Sequence, residues 1–219
     1  MADGCITKDN KFNLSLKEED LEILIKVRDF ISPISKLNYK PKYINKKTGI
    51  ITNPMYLLSF KCNHIADTLN KLGLGYNKTY LEKSIKNIVP KEFMWDFIRG
   101  YFDGDGCVSK SLVSKTHILK DGTTKTYTHT NVIFKITSKT KLILDEIKDF
   151  FIEEGINISV YPDRKSYTIG NHSLKDLIII YNKLYLTNSN FFMLRKQIKF
   201  KEIIENTEIN LDNNISKSS

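Results

Sequence analysis

The sequence predicts an α+β chain built from two similar halves, and three observations carry that reading. Asp-Gly-Cys followed by a β-branched aliphatic residue occurs at Asp3-Gly4-Cys5-Ile6 and again at Asp105-Gly106-Cys107-Val108. Asn-His also recurs, at Asn63-His64 and Asn171-His172, each just ahead of apolar residues at helical spacing. The 219 residues are 41% hydrophobic, enough for a proper core in one domain or two fused halves. The aspartates lie 102 residues apart (105 − 3) and the Asn-His pairs 108 (171 − 63). The difference fits a longer first hairpin in the second half, turning at Asp121-Gly122.

The elements follow in order. A short strand after the first Asp-Gly-Cys leads to a second at Phe12–Leu16, then to a helix with Leu21, Leu24 and Ile25 on one face. A strand region rich in Tyr and Lys (Tyr39, Lys40, Lys42, Tyr43) precedes a helix marked by Ile65, Leu69 and Leu72. Pro90 suits a helix start, where its missing N–H costs nothing, and that helix runs through Phe93, Trp95, Phe97 and Tyr101. Gly100 and Gly104 share one face of it. Each costs roughly 1 kcal/mol relative to Ala in a helix, so the pair predicts a close helix–helix crossing.

From Lys125 to Thr137 the alternate residues are Lys, Tyr, His, Asn, Ile, Lys and Thr, with Val132, Phe134 and Ile136 between them. Period-two alternation sets one face on helices and leaves the other polar, basic and aromatic. A helix with Ile143, Ile147, Phe150 and Phe151 inward ends near Gly155, a fitting C-terminal cap. Tyr161, Arg164, Lys165 and Tyr167 repeat the Tyr/Lys strand, and Leu174, Leu177 and Tyr181 mark the last repeat helix. Asn63 and Asn171 read as N-caps. The expected units are 1–89, 90–205 and a polar, disordered tail over 206–219.

The formal net charge of +9 favours a polyanionic partner, though charge alone does not separate DNA from RNA or a membrane surface. No apolar run is long enough to span a bilayer, so no membrane role is expected. Cys5, Cys62 and Cys107 are odd in number and widely spaced, and the four histidines lack finger or protease spacing. A reducing compartment is expected: cytoplasm, or mitochondrion or plastid for an organelle-encoded chain.

The chemistry concentrates at Phe97–Val108. Asp103 and Asp105 fall at a helix end, where a carboxylate can hold a hard divalent cation through oxygen ligands and retained waters. Two such helices crossing at glycine faces would bring two carboxylates together for phosphodiester hydrolysis. The alternative, Asp-Gly as turn chemistry, explains Asp3 taken alone but not the whole second string.

Ile98-Arg99-Gly100-Tyr101-Phe102-Asp103-Gly104-Asp105-Gly106 resembles the second motif of the LAGLIDADG homing endonucleases, and Met1-Ala2-Asp3-Gly4 resembles the tail of the first. The resemblance implies two pseudo-symmetric αββαββα halves forming a β-saddle on double-stranded DNA, with the first motif helix largely missing here. It implies Mg2+ (or Mn2+) held by Asp3 and Asp105, with Gly104 alongside, and Asp103 in a less essential place. Lys17, Lys139, Lys78 and Lys196 fall where the family places basic helpers around the scissile phosphates. Ser138 precedes one of these lysines, whereas Leu16 stands in that place in the other half. Lys40, Lys42, Lys125, His129, Lys135, Arg164, Lys165 and Arg195 are the candidate DNA contacts.

These expectations describe a site-specific double-strand endonuclease, intron-encoded or carried by another mobile element, and monomeric if the first helix is supplied. The competing reading is an intron maturase that grips its own intron RNA, or a non-catalytic binding relic. The intact Asp-Gly-Asp-Gly favours the nuclease, and the absent first helix favours the binder.

Overall fold

Each half of the chain builds a four-stranded antiparallel sheet, and the strand order is the same in both. The computed structural model describes residues 4–46, 48–72, 76 and 84–215, with side chains to residue 207. The first half contains β1 (Gly4–Ile6), β2 (Lys11–Lys17), α1 (Leu21–Ile31), β3 (Leu37–Lys40), β4 (Tyr43–Ile44), β5 (Ile51–Thr52), β6 (Met55–Lys61) and α2 (Asn63–Lys71). The second contains α3 (Met94–Asp105), β7 (Gly106–Ile118), β8 (Thr124–Ser138), α4 (Lys141–Glu153), β9 (Ser159–Asp163), β10 (Ser166–Asn171), α5 (Leu174–Tyr185) and α6 (Leu194–Ile215). The sheets run β1-β2-β6-β3 and β7-β8-β10-β9, with β4 and β5 paired apart as a small ribbon.

Register turns the sequence repeat into a spatial one. Gly4 pairs with Leu14 in the first sheet and Gly106 with Ile136 in the second. Counting two residues onward, Leu16 occupies the place of Ser138, and Lys17 that of Lys139.

Alternation in β8 is the reason this sheet has two faces. Val132, Phe134 and Ile136 are buried against helices, while Lys125, Tyr127, His129, Asn131 and Lys135 lie on the opposite side. The buried face joins Ile98 and Phe102 of α3, Ile147 and Phe151 of α4, and Phe200 of α6 in the larger core. Each such side chain contributes about 1.5–3 kcal/mol on burial. The smaller core gathers Phe12, Leu16, Leu24 and Leu58, and Met193 from the second half inserts into it.

Turns fall where the local chemistry demands. The β7–β8 hairpin reverses at Asp121-Gly122, with Gly122 at φ +82° and the Leu119 N–H bonded to the Thr123 carbonyl at 2.8 Å. Gly155, at φ +77°, ends α4, and the Ile156 N–H closes back onto the Phe151 carbonyl at 2.8 Å.

Four local expectations change. Cys62, not Asn63, is the N-cap of α2, and Ser173 caps α5 by accepting from the Asp176 N–H. Asn171 instead ends β10 and ties the turn, donating to the Asn157 carbonyl and to Asp176 while accepting from the Ser173 N–H. The polar stretch from Asn206 continues α6 as far as Ile215, since Thr207 is buried and bonds the Ile203 carbonyl at 2.6 Å. The Gly100 face carries no crossing helix among the described residues: a Cβ built there meets nothing within 4 Å. No helix among the described residues is long and apolar enough to cross a membrane.

Candidate functional site

Asp105 is the last residue of α3, and its position is set by contacts on both sides. The helix ends because Gly106 turns into β7 in an extended conformation, its N–H still bonded to the Phe102 carbonyl. A Cβ at Gly106 would lie 2.2 Å from the Phe102 ring and 2.5 Å from the Phe102 carbonyl oxygen, so only glycine fits. Lys196, buried at the start of α6, donates to the Phe102 carbonyl at 2.7 Å and the Gly106 carbonyl at 2.8 Å. A cation at a helix C-terminus also complements the helix dipole. The ammonium thus clamps the carbonyls that bracket Asp105.

Asp103 points inward and performs a different task. Its carboxylate accepts from the Met193 N–H at 2.8 Å and the Tyr185 hydroxyl at 3.2 Å, which fixes the entry into α6. Burial pushes its pKa up to about 6, against the opposing pull of those bonds and of Lys196 and Arg99. Burial, with the Asp103 charge beside it, raises the Tyr185 phenol as well. Arg99, also buried, donates to the carbonyls of Leu184 and Phe191 and to Thr187 and Asp96. The motif string therefore packs α3 against the α5–α6 connection with its inner residues and offers Asp105 outward.

Tyr101 of α3 is the neighbouring polar side chain whose titration feels that carboxylate. Burial raises the Tyr101 pKa, the Ser138 side chain works against this, and the Asp105 charge adds to it. Ser138 ends β8 and takes the Thr140 N–H at 3.2 Å. Lys139 follows on the surface and shares an open cleft with Asp163, Arg164, Lys165 and Ser166 of the β9–β10 turn. Arg164 adopts a left-handed φ of +54° there, an uncommon conformation for a non-glycine residue.

The first half presents its counterpart differently. Lys17 ends β2 on the same sheet face as Lys40, both being register partners of Met55, and it lies 3.4 Å from Glu19. Lys42 is exposed beyond β3. Arg195 reaches across from α6 to the buried Asp20, so its guanidinium joins the halves. Lys125, His129 and Lys135 share the outer face of β8, with Lys125 5.1 Å from the Tyr127 ring. Asp3 and Lys78 lie outside the described residues.

Sequence reasoning missed Tyr101 as a site residue, reading it only as helix periodicity. It also passed over Lys115 and His117, which register places opposite Tyr127 and Lys125. The signal was available in the alternation of β7, whose outer face follows from the hairpin register.

Among the described residues no three His, Cys, Asp or Glu side chains gather to hold a metal ion. Asp105 offers carboxylate oxygens at the exposed end of α3, with the Tyr101 phenol near enough to feel its charge. A carboxylate is the hard oxygen ligand that Mg2+ takes while retaining several waters.

No protein-family model matches the chain. It is 31% identical over 169 residues to the DNA-directed RNA polymerase subunit Rpo1C of Methanocaldococcus jannaschii, an alignment covering 73% of this chain. It spans 18% of the length of that curated relative. Among solved structures, the meganuclease I-CpaMI bound to uncleaved DNA matches with a TM-score of 0.59 and 11% identity, covering 99% of this chain and 91% of that one. I-AabMI bound to uncleaved DNA gives 0.60 and 12%, covering 97% and 88%. I-SmaMI bound to cleaved DNA gives 0.59 and 11%, covering 93% and 80%. The fold is that of the LAGLIDADG homing endonucleases.

Proposed function

We propose that this chain is a site-specific DNA endonuclease of the LAGLIDADG type, hydrolysing phosphodiesters with a divalent cation at Asp105. One observation carries the reading: α3 ends in the exposed carboxylate of Asp105, its helix end held by the buried Lys196 clamp and its charge felt by Tyr101.

Each residue has a distinct task. The β8 face and the β9–β10 turn supply Lys125, Lys135, Arg164 and Lys165 to the DNA backbone and base edges. Lys139 stabilises the charge that develops on the phosphate oxygens. Ser138 and Tyr101 orient water beside the carboxylate. A water oxygen adds to phosphorus, the bond from phosphorus to one sugar oxygen breaks, and that oxygen takes up a proton. A Mg2+ or Mn2+ ion bound at Asp105 would lower the pKa of the attacking water and neutralise the leaving oxygen.

The match to a polymerase subunit is local, and no polymerase activity is carried over from it. The likeness to DNA-bound meganucleases supports duplex DNA as the partner.

The test begins with selection of a bound duplex from a random DNA pool. The selected duplex is then incubated with the chain and Mg2+. Cleavage that vanishes in Asp105→Asn while binding persists supports the reading. Binding without cleavage, or preference for folded RNA over every duplex, refutes it.

A further inference from the structure

Between β3 and β6 the first half carries an insertion that the second half lacks. Strand order matches β3 with β9 and β6 with β10. The β9–β10 connection closes over Arg164 and Lys165 alone, whereas residues 41–54 separate Lys40 from Met55 and carry the β4–β5 ribbon. Met55 pairs with both Lys40 and Lys17, so the ribbon springs from the sheet end that holds Lys17. The Glu18 N–H bonds the Pro54 carbonyl at 3.2 Å and ties down its base. The tip turns at Gly49, φ +69°, whose N–H meets the Asn45 carbonyl at 2.8 Å.

This ribbon is apolar on both faces and basic along its length. Ile44 and Ile51 form a cross-strand pair on one face, and Tyr43 stands opposite Thr52 on the other. Tyr43, Ile44, Ile50 and Ile51 are 59%, 54%, 64% and 54% exposed. A two-stranded ribbon is marginally stable alone in water, and exposed apolar patches mark binding sites. Lys40, Lys42 and Lys46 are exposed beside them, and no Asp or Glu occurs between Asp29 and Asp67. That surface fits a polyanion which also offers apolar groups. Duplex DNA does so: its major groove admits a two-stranded ribbon and displays the thymine C5-methyl.

We propose that the β4–β5 ribbon is a DNA-reading element separate from the two four-stranded sheets. It lies in the major groove, sets the Ile44–Ile51 pair against thymine methyls, and places Lys40, Lys42 and Lys46 on the flanking phosphates. This rests on duplex DNA being the partner, as in the nuclease reading above. The target is therefore thymine-dependent on the side of the first half and not at the matching place in the second.

The experiment uses the full chain and the selected duplex, each thymidine replaced in turn by deoxyuridine, which lacks only the methyl group. Fluorescence anisotropy reads affinity, and cleavage with Mg2+ is followed alongside. The native chain is expected to lose about fourfold per contacted methyl, the burial of one carbon, at thymines of one half-site only. Ile44→Ala combined with Ile51→Ala, checked for native circular dichroism, is expected to weaken binding similarly and to stop distinguishing deoxyuridine there. Lys42→Ala is expected to weaken every duplex alike and lower the slope of log affinity against log salt by about 0.9. Native affinity in the double variant, or a deoxyuridine penalty that it retains, overturns the inference, while persistent cleavage keeps the nuclease reading standing. Self-association that the double variant abolishes assigns the ribbon to a second copy of the chain and overturns it too. Failure to bind any duplex overturns the nuclease reading and this inference with it.

Discussion

Arg195 of α6 grips Asp20 at the foot of α1 through two parallel bonds, Nε to Oδ1 at 2.7 Å and a terminal nitrogen to Oδ2 at 3.0 Å. The pair spans the two halves, and Asp20 is only 4% exposed. Removing Arg195 leaves a buried carboxylate without its partner. Because the guanidinium is itself partly exposed, Arg195→Ala is expected to cost about 1–3 kcal/mol rather than the full penalty of a dry pair. Urea unfolding measures this, and a cycle with Asp20→Asn separates the coupling from the loss of each side chain.

Much of the architecture was legible because it rests on local signals. The repeated Asp-Gly-Cys, the alternation of β8, the Asp121-Gly122 turn and the cap at Gly155 each depend on a few neighbouring residues. The anchors around the site were not legible. Asp103, Arg99 and Lys196 look alike, as charges in a motif or a basic run, until α6 is folded back onto α3. Their partners lie about 85 to 94 residues away in sequence, and many of those partners are backbone carbonyls or N–H groups that no side-chain pattern reveals. Arg195 likewise passes for a DNA contact until Asp20 is brought beneath it.

Two glycines of the motif are expected to respond oppositely to alanine. Gly106 has φ −89°, so its requirement is space and not dihedral freedom: the added methyl would strike the Phe102 ring and backbone. Gly106→Ala is expected to lose about 1–3 kcal/mol as an overpacked position. Gly100 sits in the middle of α3 with open space around it, and alanine there is expected to stabilise the helix by up to about 1 kcal/mol. Thermal unfolding of the two variants reads the contrast directly. A stabilised Gly106→Ala would contradict the packing at the end of α3.

Asp103 makes stability depend on pH in an unusual direction. Its pKa rises from 3.8 to about 6 on folding, so between those values the native state holds more protons than the unfolded state. The contribution of Asp103 to stability is then greatest below pH 4, falls as pH rises through 4 to 6, and levels off above. The shift corresponds to on the order of 3 kcal/mol at 1.36 kcal/mol per unit. Replacing Asp103 by Asn keeps one oxygen to accept from the Met193 N–H, turns the other position into an amide that can only donate to the Tyr185 oxygen, and removes the titration. The difference in unfolding free energy between native chain and variant, followed from pH 4 to 7, is expected to carry this slope. A difference flat across that range would show that Asp103 stays ionised throughout.

The outer face of the β7–β8 hairpin separates charge from shape in DNA binding. Lys125 and Lys135 stand on one side of β8, and Lys115 comes opposite Tyr127 in register. A lysine that neutralises one phosphate releases counterions, so its loss lowers the slope of log affinity against log salt by about 0.9. Lys125→Ala and Lys135→Ala are each expected to weaken binding to selected and unrelated duplexes alike, and to flatten that slope. Tyr127 carries no charge, so Tyr127→Phe is expected to leave the slope unchanged. Fluorescence anisotropy at four or five salt concentrations distinguishes these outcomes. If neither lysine changes the slope, the polar face of this sheet does not meet the phosphate backbone, and the duplex must lie elsewhere on the fold.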